Sequence, residues 1–190
     1  MDPDCSSSET IQVLEQDRLL TFSYESIMNF HGGAMPAGVA LAFRMFQYLT
    51  AACKERSGEL PLRGNVTFFS GLGNNGQGIL DTADCLYRIR RSGGLRMEMP
   101  EFESLKAPEA PGGGKYLFSG SFGAMSWQAA VRPGCIPQDF FDASKKAHLL
   151  RRQGKSLSDL QMEELLFLRR QTEKAILSRT PEELFTFTIK

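Results

Sequence analysis

The sequence has few of the side chains that most often carry metal or acid–base chemistry. It contains two histidines and four cysteines among 190 residues, and no two cysteines form a CxxC pair. Scattered cysteines argue against a zinc ribbon and a disulfide framework, so we expect a reducing, cytoplasmic compartment. The chain also lacks an uninterrupted apolar run of membrane-spanning length, because Arg44 interrupts its most apolar stretch. We therefore expect no membrane partner.

A net charge is lacking as well, since 22 basic residues balance 22 acidic ones. Such a chain has no overall field that would attract nucleic acid. One small basic patch follows residue 144, at Lys145, Lys146, Arg151 and Arg152, but no aromatic residues are interleaved with it. We interpret this patch and the neighbouring His148 as the solvated face of a helix, and we expect no nucleic-acid partner.

The most informative stretch that is present combines a glycine turn with an apolar helix. Pro36 suits the first turn of a helix, and the sequence from Pro36 to Cys53 is apolar apart from a stripe at Arg44, Gln47 and Thr50. This pattern predicts a core helix packed on the sheet. His31, Gly32 and Gly33 lie just before its positively polarised N-terminus, which makes the two glycines candidate ligand-binding residues.

A second glycine turn follows a predicted strand at residues 65–70. Gly71, Gly73 and Gly76 match the pattern GxGxxG, and together with Asn74 and Asn75 they form a candidate ligand-binding loop. An amphipathic helix and a short strand at 95–99 follow, with Glu98 at the spacing of a ribose-binding acid. A nucleotide site and a simple structural turn are the alternative interpretations of this loop.

The remaining segments predict the domain organisation. Residues 1–20 should be a flexible segment, disordered to residue 10 and with a short helix at 11–20, and Ser23 should cap the helix that leads to His31. Residues 21–135 form an α+β core that ends in a hairpin through Gly123. Residues 136–190 form a helical arm with a closing strand, in which Ser158 and Thr180 begin capping boxes.

Five motifs, taken in order, resemble the E subunit of formylmethanofuran dehydrogenase and its stand-alone relatives across residues 23–190. They are FHGGAMPAGVALAFR, GILDTADCLYRI, Gly114-Lys115, Val131-Arg132 and ILSRTPEELFTFTI. The resemblance implies an α+β fold whose mixed sheet has a helix-strand-helix-strand-strand-strand core, also similar to a glyceraldehyde-3-phosphate dehydrogenase domain. It further implies a divalent metal such as zinc, and a molybdenum- or tungsten-type formylmethanofuran dehydrogenase complex as partner.

The metal motif of that family is incomplete in this chain. Gly33 stands where the family has a second histidine, and Met35 stands where it has a cysteine, so two good zinc ligands are missing. A remodelled site can be drawn from the remaining candidates, His31, Asp81, Asp84 and Cys85. The alternative is that Cys85 is a small buried apolar residue and that the acids are solvated or cap a helix.

The glycine loop also resembles that of the NAD(P)HX epimerase family, through GNNGQG, but this likeness ends near residue 99. A doubly wound nucleotide-binding fold would require further strand-helix-strand units, whereas a hairpin and helices follow here. The function we predict is therefore binding of a metal or small ligand near the His31 turn and the loop at 71–78, with nucleotide binding and a metal-free accessory role as alternatives. The long C-terminal helix predicts a homodimer.

Overall fold

The structure analysed is a computed structural model that describes residues 9–97 and 106–190. The predicted disorder of residues 1–8, together with Cys5 and Glu98, lies outside these ranges. In chain order the elements are β1 (Thr10–Glu15), β2 (Arg18–Ser23), α1 (Tyr24–His31), α2 (Pro36–Ser57), β3 (Val66–Ser70), α3 (Gln77–Tyr87), β4 (Leu95–Arg96), β5 (Leu117–Phe122), β6 (Met125–Val131), α4 (Gln138–Arg152), α5 (Asp159–Leu177), α6 (Pro181–Leu184) and β7 (Phe185–Ile189).

The main sheet has five strands in the order β4-β3-β5-β6-β7. Strand β4 runs parallel to β3, and the other neighbouring pairs are antiparallel, so the sheet is mixed and the fold is α+β, as predicted. From α2 to β6 the elements follow the predicted order of helix, strand, helix and three strands. The closing strand β7 returns to pair with β6 after the C-terminal helices.

Helix α2 lies in the core, as its apolar sequence predicts. Its Phe46 ring packs against the sheet residues Phe68 and Trp127, at centroid distances of 5.5 and 6.2 Å. Gly120 makes room for the indole, because a Cβ at that position would lie 2.8 Å from Cζ2 of Trp127. The helix is therefore seated on a sheet surface shaped around one large aromatic side chain.

The polar stripe of α2 is paired within the protein. Arg44 is 8% exposed, and its guanidinium donates hydrogen bonds to Glu9, to Gln47 and to the backbone carbonyl of Leu177 at the end of α5. The buried Thr50 hydroxyl is hydrogen-bonded to the hydroxyl of Tyr87 at 2.8 Å. These hydrogen bonds fasten α2 to its neighbours, although the buried Nε of Arg44 has no partner among the described residues.

The helix predicted at residues 11–20 is wrong, because this part of the chain forms the antiparallel hairpin of β1 and β2. Ile11 and Val13 are buried in the core, and Gln16 turns the chain with a φ of 53°. The hairpin is also tied to a distant loop, since the N–H of Leu14 donates to the carbonyl of Pro61. These contacts bring the described part of the predicted flexible segment into the folded structure.

The C-terminal helices begin where the sequence predicts. Ser158 and Gln161 form a capping box at the start of α5, and Thr180 and Glu183 form one at the start of α6. Helix α5 packs against α2 and α4 and buries Leu165, Thr172 and Ile176. Leu160, in its first turn, is 76% exposed. The arm therefore lies on the core helix along one face and meets solvent near its N-terminal end.

The structure also bears on two expectations from composition. Three of the four cysteines lie within the described ranges, and Cys53, Cys85 and Cys135 are all free thiols in buried positions. No helix formed by residues 9–97 or 106–190 is long and apolar enough to cross a membrane.

Candidate functional site

A cavity of about 450 Å³ lies where α2, the glycine loop, the segment before β5 and the two helices α4 and α5 meet. This volume lies within the range of small-molecule sites in proteins. The apolar part of its wall comes from the helices α2, α3, α4 and α5 and from the segment before α4, with the side chains Leu41, Ile79, Ile136, Phe140, Leu165 and Ile176. An apolar body the size of a small ligand can therefore be sheltered from water here.

Two closely packed helices form the floor of the cavity. Gly38 of α2 and Gly78 of α3 both line it and face each other, and a Cβ on Gly78 would lie 2.9 Å from the carbonyl oxygen of Met35. Neither α2 nor α3 has a side chain capping its N-terminus. The positively polarised ends of two helices thus meet the cavity, and no described side chain caps either of them.

One wall of the cavity is held in place by a bridged carbonyl. The backbone oxygen of Gly112 accepts hydrogen bonds from Asn75 Nδ2 at 3.0 Å and from Arg152 Nη2 at 2.6 Å. The ring of His148 packs against the same glycine, since a Cβ there would lie 2.9 Å from its Cε1. The segment before β5 is therefore fixed between the glycine loop and α4.

The charged residues that line the cavity are all basic or potentially basic: His148, Arg151, Lys155 and Arg169. Within residues 9–97 and 106–190, no aspartate or glutamate lines it. His148 and Arg169 are half-buried, whereas Arg151 and Lys155 lie at the exposed edge. One side of the cavity therefore carries positive charge that extends to solvent.

Burial and mutual repulsion act on the titration of these groups. Burial lowers the pKa of His148, and the nearby charges of Arg152, Arg151 and Arg169 lower it further. Burial also lowers the pKa of Arg169, which nevertheless stays charged because an arginine titrates far above neutral pH. At neutral pH His148 is thus a neutral ring among permanent cations.

The predicted metal ligands form a different arrangement at the other end of the turn. His31 Nδ1 is 2.8 Å from Asp81 Oδ2, and the backbone N–H of Met35 donates to His31 Nε2 at 3.1 Å. Because Nε2 accepts a hydrogen bond, the proton of the neutral ring lies on Nδ1 and is donated to Asp81. Both nitrogens are used to hold the turn and the first residues of α2.

Asp81 and Asp84 are also engaged in local contacts. The side chain of Arg90 donates to Asp81 at 2.9 Å, and its backbone N–H donates to Asp84 at 2.9 Å. Cys85 is buried, and burial raises the pKa of its thiol to about 11, so the thiolate that binds metal is disfavoured. Among the described residues, no three His, Cys, Asp or Glu side chains are grouped so that they could hold a metal ion.

The predicted ligand-binding glycines divide into two groups. Asn75 and Gly76 line the cavity, whereas the others do not: Gly32, Gly33, Gly71, Gly73 and Asn74. Packing explains Gly71, because a Cβ there would lie 2.7 Å from the carbonyl oxygen of Lys115. It also explains Gly76, where a Cβ would meet Leu72 at 3.0 Å. These contacts favour the interpretation of GxGxxG as a structural turn that also forms part of the cavity wall.

The basic side of the cavity is the part that sequence reasoning missed. We expected His148 and Arg151 to lie on a solvated helix face, and both line the cavity. The signal was present in the spacing, because Phe140, Ser144, His148 and Arg151 recur every three or four residues and therefore share one face of α4. Because this face carries an aromatic residue as well as cations, it differs from the uniformly polar face that a solvated helix presents.

No protein-family profile matches the chain, and no curated protein matches its sequence significantly.

Proposed function

We propose that this protein binds a small molecule with an apolar body in the cavity between the glycine loop and the helices α4 and α5. The observation that supports this proposal is an apolar cavity of about 450 Å³ with a few polar groups at one side. It lies near the His31 turn and the loop at 71–78, the place that the sequence predicts for a ligand. The helices α4 and α5, which the sequence did not assign to the site, contribute ten of the 27 residues that line the cavity.

The proposal can be tested with a neutral fluorescent probe and two tryptophan substitutions. N-phenyl-1-naphthylamine becomes fluorescent in apolar sites, and we expect it to bind the wild-type protein saturably. Ala147→Trp places a large side chain on a residue that lines the cavity and should weaken binding at least about tenfold, because the occupied volume is no longer free. Ala143→Trp, one turn away and outside the lining, is the matched control.

Binding of the probe that is unchanged in Ala147→Trp would contradict the proposal, provided that circular dichroism shows both variants folded. The nucleotide alternative gives a different result in titration calorimetry. Tight binding of NAD or ATP that is lost in Gly73→Val would favour nucleotide binding. A valine at this position would meet no steric clash, but the φ of 54° would strain it and so change the conformation of the loop.

We also propose, from the five motif matches, that the chain is a divergent relative of the formylmethanofuran dehydrogenase E subunit. Its α+β fold and element order are compatible with this relation. Association with a dehydrogenase complex of that type rests on the resemblance alone. A cytoplasmic location is part of the proposal, and the free, buried thiols of Cys53, Cys85 and Cys135 agree with a reducing compartment.

Homodimer formation through α5 remains a prediction within this proposal. The exposed apolar side chains Leu160 and Phe167, at 76% and 60% exposure, lie on this helix and supply a surface that a second copy can cover. Light scattering at micromolar concentration should give a dimer mass for the wild type and a monomer mass for Phe167→Glu. A monomeric wild type would contradict the prediction.

A further inference from the structure

The charges around the cavity indicate what kind of ligand it accepts. We infer that the ligand is an amphipathic anion whose oxyanion head contacts Arg169, His148 and Arg151 and whose apolar body lies against the interior wall of the cavity. This inference rests on the proposed function and specifies the ligand class of the same site. Carboxylate and phosphate heads share the required chemistry, and the experiment below distinguishes them.

The cations that line the cavity lack an anionic partner among the described residues. Within residues 9–97 and 106–190, no carboxylate forms an ion pair with Arg151, Lys155 or Arg169, and no acidic residue lines the cavity. By contrast, the buried Arg44 and the partly buried Arg63 each pair with a glutamate. The cavity is therefore a region of the protein in which positive charge is left for an external anion to neutralise.

Arg169 provides the strongest single observation. It is half-buried at the middle of α5, and its Nη1 donates a hydrogen bond to the carbonyl oxygen of Ala34 at 3.2 Å. A guanidinium carries five N–H donors in a planar fork that fits a carboxylate or phosphate. Since burial of a charge is costly without a partner, the remaining donors favour an anion in the cavity.

The helix dipole explains only some of the cations around the cavity. Arg151 and Arg152 lie in the last turn of α4, where the dipole alone favours cations. Arg169 lies within α5, far from either end, so the dipole gives no reason for a cation there. The N-termini of α2 and α3, which have no side-chain caps and whose first residues line the cavity, add partial positive charge. Positive potential thus comes from independent parts of the fold.

His148 adds a group that can donate to the same head. Its ring lines the cavity and forms no hydrogen bond with the parts of the chain that the structure describes. The neutral ring has one N–H donor, and a bound anion would favour the protonated ring with two. The head would then lie near the exposed edge, while the body extends toward Leu41 and Ile79.

The inference is tested with ligands of equal chain length and different heads. Decanol, decanoate, decyl phosphate and decylammonium are titrated, below their critical micelle concentrations, as competitors of N-phenyl-1-naphthylamine. We expect decanoate or decyl phosphate to displace the probe at a concentration at least about tenfold lower than decanol, as charge-assisted hydrogen bonds predict. The more effective of these two anions identifies the head group as carboxylate or phosphate.

Two substitutions assign the effect to the cations. In the double variant Arg151→Gln and Arg169→Gln, the advantage of the anions over decanol should fall about tenfold or more, with both affinities measured in the same variant. Arg170→Gln is the control, since this exposed neighbour does not line the cavity and should leave every affinity unchanged.

The possible failures separate the two proposals. If neither the neutral probe nor decanol binds, the proposed function is wrong. If decanol binds as tightly as both anions, or if decylammonium binds best, the cavity is a ligand site but the inference of an anionic ligand is wrong. An advantage of the anions that persists in the double variant would also overturn it.

Discussion

The two histidines of the chain lie in opposite electrostatic surroundings. His31 is 5% exposed in its side chain, faces Asp81 and has both ring nitrogens in hydrogen bonds. His148 faces Arg151, Arg152 and Arg169 and has no hydrogen bond to the described residues. The first ring is used fully by the protein, whereas the second is left for something outside it. The difference supports the proposal that a ligand binds beside His148, although the recognisable sequence motif lies at His31.

The largest expected effect comes from removing the packing that supports the His31 side. Phe43 is 1% exposed, and its ring meets Tyr24 of α1 edge-on at a centroid distance of 5.5 Å. Phe43→Ala should lower the free energy of unfolding by about 3 to 5 kcal/mol, measured by urea denaturation, because apolar contacts are lost and a void is left. Phe30→Ala, at a 57% exposed position of α1, should change it by less than about 0.5 kcal/mol. A loss in Phe43→Ala that is as small as the loss in Phe30→Ala would contradict the buried position of the Phe43 ring.

Removing each histidine tests the comparison directly. His31→Ala should cost about 1 to 3 kcal/mol of unfolding free energy, because it leaves Asp81 and the N–H of Met35 without this partner. His148→Ala should change stability by less than about 0.5 kcal/mol, since that ring forms no hydrogen bond with the described chain. It should instead weaken the binding of decanoate. If the stability losses were reversed, the roles assigned to the two rings would be wrong.

The pH dependence of stability gives a smaller effect with a defined sign. The native pKa of His148 lies below its ordinary value of 6.5, so on acidification the unfolded chain binds this proton before the folded protein does. The neutral ring therefore contributes stability above pH 6.5 that is lost as the pH falls through the lowered native pKa. In His148→Gln the decrease of unfolding free energy below pH 6.5 should be shallower than in the wild type. An identical slope in both proteins would show that the ring titrates normally.

The smallest effect is expected from metal removal. The nitrogens of His31 are already engaged, and the thiol of Cys85 is held protonated by burial, so we expect any zinc site to be weak. Element analysis of untagged protein should show less than one zinc per chain after chelation, and unfolding free energy should change by less than about 0.5 kcal/mol. Stoichiometric zinc that survives chelation in the wild type and is lost in His31→Ala would restore the metal assignment.

Local signals in the sequence account for most of the fold. The capping residues Ser158 and Thr180 begin α5 and α6, and Gly123, with a φ of 57°, turns the hairpin between β5 and β6. Each of these signals involves residues that are close in the chain, so it can be recognised from the sequence alone. The hairpin of β1 and β2 was missed because its turn is made by Gln16 and Asp17, a pair outside the usual hairpin turns.

The cavity could be predicted only in part, because residues far apart in the chain form it. The loop at 71–78 was predicted as part of the ligand site, and Asn75, Gly76 and Gly78 from it line the cavity, whereas Gly32 and Gly33 of the His31 turn do not. Its basic side depends on how α4 and α5 dock on α2, which no local pattern specifies. The bond between Arg169 and the carbonyl oxygen of Ala34 joins residues 135 positions apart. Residues this far apart in the chain come together only in the folded protein, so the sequence does not show their proximity.

The contact between Gly38 and Gly78 has a consequence for how the chain tolerates substitution. A methyl group on Gly78 would lie 2.9 Å from Met35 O and 3.0 Å from Val39 N, and backbone atoms cannot turn away as a flexible side chain can. In a saturation library this position should reject even alanine, whereas Gly32, with open space around its missing Cβ and a φ of 78°, should accept asparagine. Two glycines near the same turn would thus differ in how many amino acids they permit, one limited by volume and the other by backbone angle.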